Sequence, residues 1–121
     1  MVTAITVVDD SAVSRKMLIK ALPPDWQVDI TQASGGREAL DAYRAGKAEV
    51  MFLDLTMPDM DGYQVLDILY QESRRTCIVV VSADIQPEAQ QRVKQLGAIG
   101  FIQKPVKTAH LEAVLKACGI L

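Results

Sequence analysis

Val50-Met51-Phe52-Leu53-Asp54 is a run of four apolar residues that stops on a carboxylate. The same arrangement recurs along the chain. Asp9 and Asp10 follow Ala4-Ile5-Thr6-Val7-Val8, Ser82 follows Ile78-Val79-Val80-Val81, and Lys104 follows Ile99-Gly100-Phe101-Ile102. Such runs read as strands, and the near-continuous ones that end at Val8, Leu53 and Val81 fit central positions buried on both faces. Stretches with helical spacing separate them, and strand alternating with helix predicts a parallel sheet covered by helices on both sides.

Working outward, residues 11–22 read as the first helix, with Val13, Met17, Leu18 and Leu22 at helical spacing. Pro23-Pro24 ends it, because proline cannot continue the backbone ladder. Residues 27–33 read as the second strand. Val28 and Ile30 alternate there with Gln27, Asp29 and Thr31, so one face is wet and the strand is assigned to an edge. Further helices are expected over 35–45, stopped by Gly46, over 63–72, over 87–96, entered by Pro87 and stopped by Gly97, and over 108–118. The fifth strand is short and opens on Gly97-Ala98, which suggests the other edge. These readings favour the strand order 2-1-3-4-5. In an open α/β sheet, ligands bind at the carboxyl ends of the strands where the order reverses. Here that point lies between strands one and three, so Asp9, Asp10 and Asp54 are expected to meet.

The chain has 121 residues, half of them apolar, which suits one core. Net charge is −2 and no Lys/Arg stripe is present, so direct nucleic-acid binding is not expected. No apolar run approaches the roughly 18 residues of a membrane helix, and no signal peptide is read. A cytoplasmic location is the expectation. Cys77 and Cys118 lie in apolar contexts and read as buried thiols of a reducing compartment. One His and two Cys do not make a typical zinc site.

Each polar site has a plain reading beside a chemical one. Asp9 or Asp10 alone would be a helix cap. Two adjacent acids followed by Ser11, which caps by itself, are less easily explained, because crowded carboxylates need a cation or a proton. Mg²⁺ suits hard oxygen ligands and keeps several waters, with Mn²⁺ as the alternative ion. Asp54 alone is an ordinary loop acid. Beside the acidic pair it reads as a nucleophile that attacks phosphorus and forms an acyl phosphate. Lys104 alone is a solvated lysine, and Ser82 a cap for the fourth helix. With the acids present, the Lys104 ammonium can meet phosphoryl oxygens and the Ser82 hydroxyl can donate to one. Pro105, directly after Lys104, pins the chain direction there.

Val8-Asp9-Asp10-Ser11, Leu53-Asp54-Leu55-Thr56-Met57-Pro58-Asp59-Met60-Asp61-Gly62, Val81-Ser82-Ala83 and Lys104-Pro105 together resemble the receiver domain of bacterial two-component response regulators. The resemblance covers essentially the whole chain, taken as a single domain over 1–121. It implies a flavodoxin-like (βα)₅ fold and Asp54 as phosphoacceptor. It implies Asp9, Asp10, Asp54 and the backbone carbonyl of Thr56 as Mg²⁺ ligands. Ser82 would be the switch hydroxyl, Lys104 the phosphoryl contact, Phe101 the aromatic switch residue and Pro105 the cis-proline. Thr56 and Asp84 would occupy the positions that tune phosphoryl lifetime. A histidine kinase or phosphotransfer protein would be the donor, and a target protein or phosphatase would read the face made by the fourth helix, fifth strand and fifth helix. Gln91, Lys94, Gln95 and Lys107 would border that face. With no output region expected beyond Leu121, the chain is similar to stand-alone, chemotaxis-type regulators. It would not be an enzyme beyond its own aspartyl phosphorylation and dephosphorylation.

Other classes stay open at this point. One is an Mg²⁺-dependent phosphatase with an aspartate nucleophile, although such enzymes open on Asp-x-Asp after the first strand, where this chain has Asp9-Asp10-Ser11. Another is a flavodoxin-type electron carrier, whose phosphate Asp9 and Asp10 would repel. Two more are a receiver-like module that is never phosphorylated and an N-terminal fragment of a longer regulator.

Overall fold

The computed structural model describes residues 2–72, 75–83 and 86–121, so Asp84 lies outside the described residues. Its elements run β1 (Thr3–Val8), α1 (Ala12–Ala21), β2 (Val28–Ala33), α2 (Gly36–Arg44), β3 (Val50–Asp54), α3 (Gly62–Gln71), β4 (Cys77–Ser82), α4 (Pro87–Gln95), β5 (Gly100–Gln103) and α5 (Thr108–Ala117). The five strands form one parallel sheet in the order β2-β1-β3-β4-β5. This is the strand order expected from the apolar runs, and the flavodoxin-like arrangement that the resemblance implies.

Alternate side chains of the central strands feed two cores. On one face Val8, Met51, Leu53, Ile78 and Val80 pack with Ala39 and Leu40 of α2, Val65, Leu66 and Leu69 of α3 and Val93 of α4. On the other, Ile5, Val7, Phe52, Val79 and Val81 pack with Leu18 of α1 and Leu111 and Leu115 of α5. Every residue of β3 is buried, as its continuous apolar run demands. Edge strand β2 is mostly open, and Ile30 is exposed at the margin beyond the helical cover.

The helix ends follow local chemistry. Ser11 caps α1, its side chain accepting from the Ser14 amide, so neither Asp9 nor Asp10 is spent on capping. Asp61 and Gln64 close a capping box that starts α3 at Gly62, one residue before the expected 63. Gly46, at φ 77°, carries the chain out of α2 through its bond to the Tyr43 carbonyl. The N-cap of α4 is Gln86, so Ser82 is not that cap.

Two expectations are corrected. Val13 and Met17 share the apolar spacing of α1 but are 69% and 50% exposed, because the line that meets the sheet runs through Leu18 and Ala21. Cys77 is exposed and Cys118 only partly covered. Cys77 is the first residue of β4, where the sheet runs out, and Cys118 is the C-cap of α5, so both sit at element ends beyond full cover.

Candidate functional site

The ends of β1 and β3 meet at the reversal of strand order. Val8 pairs with Leu53 there, which puts Asp9 beside Asp54. Asp9 and Asp54 are only 5% and 6% exposed, while Asp10 is exposed. A carboxylate oxygen from each of Asp9, Asp10 and Asp54 falls within a 4.8 Å group. Oxygens sharing one Mg²⁺ stand about 3–4 Å apart, given bonds of about 2.0–2.1 Å. The donors are therefore of the right type and need only a small contraction to share a small hard ion.

Lys104 reaches this cluster from the end of β5. Its amide donates to the Ser82 carbonyl at 2.9 Å, which aligns the two strand ends. Its Nζ lies 2.8 Å from Asp9 Oδ2 and 3.5 Å from Asp54 Oδ1. The following Lys104–Pro105 bond is cis. Burial works against the ammonium, but the bond to Asp9 and the charges of Asp54 and Asp9 outweigh it and raise its pKa. The Asp54 carboxyl is pushed upward, first by burial and then by the Asp9 charge. Lys104 and a bond from the Thr56 backbone offset this only in part. The cluster thus holds three carboxylates and one ammonium, and it retains an excess of negative charge.

The β3–α3 loop is held tightly under the site. The Gly62 amide donates to the Leu55 carbonyl at 3.0 Å. A Cβ at Gly62 would press on the Asp54 carbonyl and stand 2.8 Å from Leu55 Cα, so only glycine allows this approach. Asp59 takes φ 66° in the same loop, a left-handed conformation that aspartate tolerates.

Asp9, Asp10, Asp54 and Lys104 come together as one group. Thr56 is exposed, and the contact it makes with Asp54 is through its backbone amide. Ser82 is buried at the end of β4, in register with Gln103 and one residue beyond Val81, the partner of Asp54. Phe101 does not belong to the acidic cluster. It is half-buried in the core that contains Val80, Val93 and Ala98, at a groove bordered by Gln91, Lys94 and Gln95 of α4. Arg15 went unnoticed in the sequence. Its Nη1 donates to the Asp9 carbonyl at 2.6 Å and its Nε to Gln32 Oε1 at 2.9 Å. The one available signal was its place on the first turns of the helix that follows the acidic pair.

Among the described residues, no helix is long and apolar enough to cross a membrane. Residues 5–116 match the family described as the response regulator receiver domain. The chain is 36% identical over 112 residues to a protein-glutamate methylesterase/protein-glutamine glutaminase of Oleidesulfovibrio alaskensis, covering 91% of this chain and 30% of that protein. A similarly named protein of Syntrophomonas wolfei is also 36% identical, over 91% of this chain and 32% of its own length. The chain thus spans about three tenths of the length of these curated relatives. Among solved structures, the response regulator domain of Thermotoga maritima CheB is 26% identical with a TM-score of 0.81, covering 100% of this chain and 99% of that one. Vibrio cholerae chemotaxis protein CheY4 is 28% identical with a TM-score of 0.81, covering 98% and 99%. With the family match running through all five strands and all five helices, the chain belongs to the response regulator receiver domains.

Proposed function

We propose that the chain is a phosphorylation-activated switch in which Asp54 accepts a phosphoryl group from the histidine of a kinase or phosphotransfer protein. The observation that carries this reading is the convergence of the Asp9, Asp10 and Asp54 carboxylates within 4.8 Å, with Lys104 bound to two of them. An Asp54 oxygen attacks phosphorus in line, the phosphorus–nitrogen bond of the donor breaks, and an acyl phosphate forms. Asp9, Asp10 and Asp54, with the Thr56 carbonyl, would hold Mg²⁺, whose charge offsets that of the phosphoryl oxygens. Lys104 is already 3.5 Å from Asp54, so a short swing carries its ammonium from Asp9 to a phosphoryl oxygen. The Ser82 hydroxyl donates to another, and Phe101 repacks in the space vacated.

The message then leaves through α4, β5 and α5 to a target protein. The chemistry proposed for this chain is confined to its own aspartate, while esterase chemistry belongs to the relatives that carry it. The test is intact mass after incubation with a small acyl phosphate and Mg²⁺. One added phosphoryl group is expected, and Asp54→Ala should abolish it. Addition to that variant at the wild-type rate removes Asp54 from the role.

A further inference from the structure

Arg15 is a second cation beside the acidic cluster; its hydrogen bonds to the Asp9 carbonyl and the Gln32 side chain go to neutral oxygens, and Glu38 is a charged neighbour. The Asp9 carbonyl belongs to the peptide plane that joins Asp9 to Asp10. The rest of Asp9 is already held. Its amide donates to the Ala33 carbonyl at 3.1 Å, and its Oδ1 accepts from the Ser11 amide at 2.9 Å. Asp10 is exposed and hangs on this peptide. Its direction therefore depends on how the peptide is turned, and the guanidinium holds the carbonyl side of it. Gln32 comes from β2, so the fork of Arg15 links α1, the end of β1 and the edge strand. A planar fork can hold both acceptors at once, whereas a lysine ammonium presents a point charge.

We propose that Arg15 is a positioning residue for the divalent-cation site: by bridging the Asp9 carbonyl to Gln32 it fixes the peptide that aims Asp10 at Asp9 and Asp54. The inference rests on the metal reading given above. Charge and position make opposite demands. A guanidinium close to a cation site repels the cation, so if Arg15 acted by charge alone its removal would tighten Mg²⁺ binding. If it acts by orientation, its removal loosens Mg²⁺ binding, as the loss of outer supports of metal ligands does.

The experiment is Mg²⁺ titration by calorimetry on the full chain, with amide NMR at Asp10 and thermal unfolding in EDTA. The variants are Arg15→Gln, Arg15→Lys and Gln32→Leu, with Asp10→Asn as reference. Arg15→Lys keeps the charge and loses the fork, while Gln32→Leu keeps Arg15 and removes its anchor. Arg15→Gln and Arg15→Lys are expected to weaken Mg²⁺ binding about tenfold. Gln32→Leu should weaken it severalfold, and the metal-free unfolding temperature should change little. Should Arg15→Gln fail to fold, Arg15→Lys and Gln32→Leu decide the matter alone. Mg²⁺ binding that is unchanged or tighter in the Arg15 variants, while Asp10→Asn loses it, overturns this inference and leaves the metal reading intact. A wild-type chain that binds no Mg²⁺ overturns both.

Discussion

Lys104 Nζ stands 2.8 Å from Asp9 Oδ2, nearer than its 3.5 Å to Asp54 Oδ1. In this state the ammonium serves a carboxylate of the candidate metal site more closely than it serves the candidate acceptor. It offsets part of the negative charge that the three carboxylates bring together. Lys104→Met should therefore cost stability in EDTA. The lysine side chain is 25% exposed, which screens the pair, so the expected loss is about 1–3 kcal/mol and not the full cost of breaking a buried pair. Mg²⁺ should raise the unfolding temperature of the variant by more than that of the wild type. Equal Mg²⁺ shifts in the two proteins would show that Lys104 does not compensate the acids.

Asp54 gives a pH dependence of definite sign. Its folded carboxyl is held above the ordinary aspartate value of 3.8, first by burial and then by Asp9. The native state therefore binds the proton more tightly than the unfolded chain. Stability falls as pH rises from 3.8 through the raised value, and the penalty is complete above it. Asp54→Asn removes the penalty and should stabilise the metal-free protein near neutral pH. That advantage should vanish once the pH drops below 3.8. Urea denaturation in EDTA at several pH values measures it, and an advantage independent of pH would contradict the assignment.

Gly62 should be far less replaceable than Gly35. A Cβ on Gly62 meets backbone at Asp54 and Leu55, which cannot rotate away. Gly62→Ala is expected to cost about 1–3 kcal/mol and to displace the acceptor loop, slowing phosphorylation by small acyl phosphates. Gly35 has open space around it and caps α2 without a side-chain bond. Gly35→Asp should be neutral or stabilising by a few tenths of a kcal/mol. Chemical denaturation of both variants checks the contrast, and a harmless Gly62→Ala would remove the steric argument.

The contrast between these glycines shows what a sequence carries and what it leaves out. Strand order was legible because burial on both faces leaves a continuous apolar mark in strands one, three and four, while the edge strand alternates. The meeting of Asp9, Asp10 and Asp54 followed from that order alone. The orientation of α1 was not legible. Two adjacent apolar lines run along it, and only packing decides that Leu18 faces the sheet while Val13 and Met17 face outward. Arg15 left no mark, because its hydrogen bonds go to a backbone carbonyl and to Gln32, a residue of edge strand β2 far from it in sequence. The cysteines misled for a related reason: an apolar neighbourhood in sequence says little about cover at the end of an element.

Those cysteines should differ in reactivity. Cys77 is exposed, whereas the Cys118 thiol is pushed upward by burial and by the nearness of Cys77, and it donates to the Ile99 carbonyl at 3.1 Å. Alkylation should mark Cys77 first. Cys118 should lag behind it and gain on it as the pH rises, since the thiolate is the nucleophile. Peptide mass mapping over a pH series reads the order, and equal rates would mean that Cys118 is open to solvent.

Phosphorylation of Asp54 should be felt on the far side of β4. Ser82 and Gln103 pair at the ends of β4 and β5, and Phe101 pairs with Val80 two positions back. A phosphoryl group adds charge and acceptor oxygens that favour an inward Ser82. The packing that Phe101 adopts against the core that contains Val93 and Ala98 then competes with a second one. Arg92 opposes the change, because its guanidinium lies 4.0 Å over the Tyr63 ring and ties α4 to α3. That contact is worth about 0.5–1 kcal/mol at an exposed site, small enough for a phosphoryl group to overcome. NMR spectra with and without a phosphoryl mimic and Mg²⁺ should therefore show shifts at Phe101, along α4 and at the Tyr63 ring. Tyr63→Leu should enlarge the α4 response at a given occupancy, and Ser82→Ala should shrink it. Shifts confined to residues around Asp54 would sever the route from acceptor to α4 even with Asp54 fully phosphorylated.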